Sequence, residues 1–157
     1  MKAATFALGL LLASAAVAVR AADFYMVDAS SEQVVLLDPS SIGTSPDGDK
    51  TARIAMISDM DLWDDDRMEF DCSAARYKSL SSVAHLAGGD TLDRSSIDGM
   101  VGVWNEVKDH TTGSLLFDSV CRWSPSMLSG DHVFSAADFE SALHNISSKL
   151  TEMQGGR

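Results

Sequence analysis

Two cysteines, Cys72 and Cys121, in a chain of 157 residues constrain the fold more than any other feature. Their meaning depends on the compartment, and the N-terminus speaks to that. Lys2 is followed by an almost unbroken apolar run from Ala3 to Val19 and then by "VRAADFY". A short basic start, an Ala-rich run too short for a comfortable membrane span, and small residues near the junction describe a secretory signal peptide cleaved near Ala21. The expected organisation is therefore a leader over 1–21 and one domain over 22–157. No cysteine follows the junction as a lipid-anchored precursor requires, so the processed chain is expected to be periplasmic or secreted, with no membrane span. In such an oxidising compartment an even count of two cysteines reads most simply as one disulfide.

The formal net charge is −11, from 23 acidic and 12 basic side chains. The leader removes only Lys2 and Arg20, so the processed chain is more acidic still. This charge repels phosphate backbones and argues against nucleic acid as a partner; a basic protein is easier to attract.

Strand signals dominate the first two thirds. "DFYMVD" (23–28) and "QVVLLD" (33–38) are rich in aromatic and β-branched residues, and "SPDGDK" (45–50) has the Pro and Gly of a hairpin turn. "TARIAMIS" (51–58) reads as a central strand buried on both faces. "DMDLWDDDR" (59–67), with its run of like charges, reads as an acidic loop. Then "RMEFDC" alternates: Met68, Phe70 and Cys72 share one face, Glu69 and Asp71 a solvent-facing other. "ARYKSLSSVAHL" (75–86) is a further strand, turned by "AGGD" into "TLDR", and "VWNEV" (103–107) a last one.

The period then changes. Leu116, Val120 and Trp123 have helical spacing, with Ser114 as the cap, which puts Cys121 on a short helix. At the C-terminus Ser135 and Asp138 form a capping-box pattern and Phe134 and Phe139 a staple. Phe139, Leu143, Ile146, Leu150 and Met153 form one apolar face.

Residue chemistry offers few catalytic constellations. An EF-hand loop begun at Asp59 fails at the positions that need glycine and glutamate, which leaves a solvated acidic loop or an irregular calcium site through Asp61, Asp64 and Asp66. The histidines His85, His110, His132 and His144 are scattered, and neither cysteine has a partner two residues away, so zinc and thioredoxin-like motifs are lacking. There is no nucleophile elbow and no phosphate loop. Cofactors are accordingly not expected. Asp61, Asp64, Asp65 and Asp66 are the candidate binding surface, and Tyr77, His85 and Trp104 the candidate lining of a sheet–helix pocket.

Taken together, "MEFDCSAARYKSLSSVAHLAGGDTL" and "VWNEVKDHTTGSLLFDSVC" resemble the surface-adhesin protein E family of small exported bacterial proteins. The matching positions are Glu69, Cys72, Arg76, Ser81, Ser82, Gly89, Trp104, Ser114 and Cys121, with "FYMVD" and "VVLLDPSSI" similar to the family's first two strands. The resemblance implies an antiparallel sheet packed by helix and stapled by Cys72–Cys121. It also implies an adhesin-like role in binding extracellular-matrix or plasma proteins.

The expected fold class is thus α+β: an antiparallel sheet of about five or six strands packed by a short helix and a C-terminal amphipathic helix, with one disulfide. The expected function is non-enzymatic protein binding, with a basic or extracellular-matrix protein as partner and a homodimer formed through a sheet edge. The alternatives are a periplasmic small-molecule binder or enzyme using a sheet–helix pocket, and a structural envelope protein.

Overall fold

Four consecutive apolar residues, Val34 to Leu37, are all buried in the computed structural model of the chain, and alternate ones enter different clusters. Val34 and Leu36 pack with Phe24, Phe134, Phe139 and Ile146, whereas Val35 and Leu37 pack with Ile54, Phe70, Leu116 and Val120. A strand whose neighbours project to opposite sides can be apolar throughout only if its sheet is covered on both faces. The structure describes residues 21–30, 33–59, 62–86, 89–96, 101–130, 132–142 and 146, so most of the expected leader, and Asp61, lie outside it.

Among the described residues the sheet has eight strands: β1 (Ala22–Ala29), β2 (Val34–Thr44), β3 (Lys50–Asp59), β4 (Leu62–Asp71), β5 (Arg76–Leu86), β6 (Thr91–Asp93), β7 (Asn105–Glu106) and β8 (Val133–Ala136). Their order is β6-β5-β4-β3-β2-β1-β8, with β7 also paired to β5, and every strand pairing is antiparallel. Five long strands follow one another as a meander, and the return of β8 to β1 closes the order. One helix, α1 (Thr112–Cys121), crosses one face. The C-terminal segment, helical at 139–142 and at 146, covers β1 to β3 on the other.

The α+β class stands, but eight strands replace the expected five or six. The excess is short: β6, β7 and β8 have three, two and four residues, below the length at which a period can be read. β7 holds only Asn105 and Glu106 of the strand expected over 103–107. A separate correction concerns the expected acidic loop, which lengthens β4 without adding a strand. Residues 62–67 form the first half of β4, because the sheet supplies the aspartates with cations: Arg53 on β3 bonds Asp65 through Nε at 2.8 Å, and Arg94 bonds Asp64 at 2.9 Å. A run of like charges can stay in a strand where neighbouring strands and turns bring counter-charges to it.

Local chemistry accounts for the remaining elements. Gly48, at φ +92°, closes the β2–β3 turn, and Ser45 N–H donates to Asp49 O. The N-cap of α1 is Thr111 rather than Ser114. Thr111 Oγ1 accepts from Ser114 N–H, and the Ser114 hydroxyl accepts from Thr111 N–H, so the two form a capping box whose N-cap lies three residues before the expected cap. Ser135, expected in a cap, lies in β8, and Asp138 takes that role by accepting from Ser141 N–H at 2.8 Å. Phe134 and Phe139 meet in one cluster as the staple spacing implies, and Phe139 tilts against Phe24 at 4.7 Å. Leu143, Leu150 and Met153 lie outside the described residues.

Candidate functional site

The disulfide fixes the C-terminal end of α1. Cys72 and Cys121 are bonded, with Cα atoms 5.7 Å apart. Cys72 does not sit on the core face of a strand as expected. It lies one residue past β4, in an exposed turn, and bonds to the last residue of the helix that covers Met68 and Phe70. Asp71 builds that turn by accepting from Ser73 N–H at 3.1 Å and Ala74 N–H at 2.9 Å, while its other oxygen meets Arg76. The Ser73 hydroxyl, which also donates to Asp71 Oδ1 at 2.8 Å, is the foremost of the donors that hold the Asp71 carboxyl down at about 2. Asp71 and Glu69 therefore correct a second expectation. Both residues are buried and ion-paired, Glu69 with Lys78 at 2.7 Å and Asp71 with Arg76 at 2.9 Å.

The other end of α1 is tied by polar contacts. Thr112 Oγ1 donates to Asp28 Oδ2 at 2.8 Å and accepts from Gln33 Nε2 at 2.6 Å. Leu116 and Val120 bury the middle of the helix. Pinned in this way, α1 leaves a cleft of about 520 Å³ between its first turn and β5–β7. Met56, Met68, Tyr77 and Leu116 give it apolar surface; Gln33, Asn105, Glu106, Lys108, Thr111 and Thr112 give it polar groups. Gly113 is needed there, because a Cβ would stand 2.9 Å from Tyr77 Oη. The cleft thus combines apolar area with several polar groups at its edge.

Of the three residues expected to line a sheet–helix pocket, only Tyr77 does so. Trp104 packs against Arg76 and Lys78, which flank Tyr77 in sequence and therefore project to the opposite face of β5. Their cationic groups lie 4.6 and 4.2 Å from the ring centroid. His85 stacks on Trp63 at 3.8 Å, near the far end of the same strand. The three are therefore not brought together. Of the acidic candidates, Asp65 is bound to Arg53, Asp64 to Arg94, and Asp66 is buried at 5% exposure, so the described ones do not form a free acidic loop. Burial, above all, pushes the Asp66 carboxyl up, and its Oδ1 has no hydrogen-bond partner. Among the described residues, no group of three or more His, Cys, Asp or Glu side chains is placed to hold a metal.

The cleft's polar rim and the cation–aromatic cluster are not legible in the sequence alone. The signal was present as alternation: Arg76 and Lys78 on β5 face Asp71 and Glu69 on β4. Reading it needs the register, which shifts between Arg67 and Met68. Among the described residues no helix is long and apolar enough to cross a membrane. Comparison of the chain with family models, curated proteins and solved structures found no match.

Proposed function

We propose that the protein is an exported, non-enzymatic module that binds a protein partner through the cleft between α1 and β5–β7. The observation that carries this reading is the cleft itself: apolar side chains edged by amide, hydroxyl and charged groups, on a helix fixed at both ends. A half-open trough of this kind suits an inserted side chain or short segment of a partner better than an enclosed small molecule. Its support is preorganised, which lowers the ordering cost of binding. A second copy of the chain has less to pair with, since β6 and β8 at the sheet edges have three and four residues.

The disulfide supports export, because such bonds persist in oxidising compartments. The overall charge of −11 favours a partner of basic character. The resemblance to the surface-adhesin protein E family points the same way, towards adhesin-like binding of matrix or plasma proteins. The test is affinity capture from periplasmic and matrix fractions by the processed, oxidised chain, comparing wild type with a Glu106→Arg/Lys108→Glu variant. A saturable complex that weakens with salt and with the rim variant supports the reading. Capture indifferent to the rim, or turnover of a substrate in the cleft, would overturn it.

A further inference from the structure

The chain is rich in acid, and its arginines are correspondingly well partnered. Arg53, Arg76, Arg94 and Arg122 each have a carboxylate oxygen within 3.4 Å. Arg67 is the exception among the described residues: it has no carboxylate partner, although 23 acidic residues are available in the sequence. Its position makes this more than a solvated surface charge. Arg67 lies directly across β3–β4 from Arg53 and directly across β4–β5 from Ser81. The three form one cross-strand row on the face away from α1.

Like charges set opposite each other in a sheet are destabilising. The strain is relieved on one side only. Arg53 is turned to Asp65 and lies over the Phe139 ring at 4.7 Å. Arg67 retains its whole guanidinium fork, and among the described residues the Ser81 hydroxyl has no hydrogen-bond partner. The row lies in a groove of about 450 Å³ whose lining also includes Ser41, Asp65 and Val83. Two cations and one already paired anion give this groove a positive balance. Asp38 and Asp138, which act on Arg53, are themselves held by Ser40 and Ser141.

We infer that the Arg53–Arg67–Ser81 row is a binding site for a tetrahedral oxyanion, phosphate or sulfate, presented by a small ligand. The planar fork of Arg67 suits two oxygens of such an anion, Ser81 can donate to a third, and the anion would screen the repulsion between the two guanidinium groups. The site is separate from the α1 cleft and does not rest on the protein-binding reading. The test is NMR titration of the oxidised chain with sodium phosphate and sodium sulfate at ionic strength matched by chloride, with acetate as the planar control. Saturable shifts at the Arg67 Nε–H and the Ser81 amide of the wild type, with the affinity read at the Ser81 amide falling about tenfold or more in Arg67→Ala and kept in Arg122→Ala, support the inference. Shifts that never saturate, that persist in Arg67→Ala, or that acetate reproduces at equal affinity overturn it. Arg67→Ala should stay folded, since it removes an exposed like-charge contact; Arg67→Lys, which keeps charge but loses the fork, should bind weakly.

Discussion

Reducing the single disulfide should cost this domain a large share of its stability. Cys72 and Cys121 are separated by 49 positions. Closing a loop of that length removes about 14 cal/mol/K of entropy from the unfolded chain, or about 4 kcal/mol at 25 °C. Total stability for a domain of this kind is only about 5–15 kcal/mol. The native state adds little of its own, because Cys72 is in an exposed turn and α1 keeps its Leu116 and Val120 contacts and the Thr112–Asp28 bond without the sulfur link. The assay is urea unfolding of the same chain oxidised and reduced, which avoids substituting Cys121 where it packs against the core. With a slope of about 1–3 kcal/mol/M the midpoint should fall by about 1.3–4 M, and the slope itself should rise as the unfolded chain expands. A difference under about 1 kcal/mol with an unchanged slope would refute the entropic reasoning.

Other perturbations test the packing and the charges. Asp66→Asn should stabilise the protein at neutral pH. Burial raises the native carboxyl above its unfolded value, so the protonated form's advantage, full below the unfolded pKa, is lost as pH rises through the native one. Urea midpoints of wild type and Asp66→Asn should therefore diverge as pH rises above the unfolded value of 3.8. Asp71 has the opposite sign: its contribution is present above the unfolded value of 3.8 and lost as pH falls towards about 2, so Asp71→Asn should flatten the acid limb of the stability curve. Leu116→Ala should cost about 2–5 kcal/mol, whereas Leu115→Ala, at 46% exposure, should be nearly neutral. Gly113→Ala pits a helix-propensity gain of about 1 kcal/mol against overpacking of about 1–3 kcal/mol on Tyr77, and a Tyr77→Phe background should reduce its cost by removing the nearest atom.

What could be read from the residues was whatever local chemistry determines. The long strands β1, β2, β3 and β5, the left-handed glycine at 48, the covered faces of β3 and the partnership of the cysteines all follow from period, turn residues and an even cysteine count. Distant partners were illegible. The aspartates of β4 look like a loop until Arg53 and Arg94 are placed beside them. Cys72 looks like a core residue until Asp71 ends the strand with its own turn. The candidate pocket failed in a similar way. Residue type alone groups Tyr77, His85 and Trp104, but strand alternation turns the flanks of Tyr77 away, and His85 finds Trp63 instead. The cleft's rim comes from segments far apart in the chain, Gln33 from before β2 and Lys108 from before α1, which only the fold brings together.

The cleft as the docking place is tested most directly by amide hydrogen exchange on the oxidised chain, alone and saturated with a captured partner. Slowed exchange concentrated at Tyr77, at Asn105 and Glu106, and through the first turn of α1 from Thr112 to Leu116 is the predicted result. Protection confined to the opposite face, around Trp63, Val83 and His85, with the α1 cleft unchanged, would contradict it.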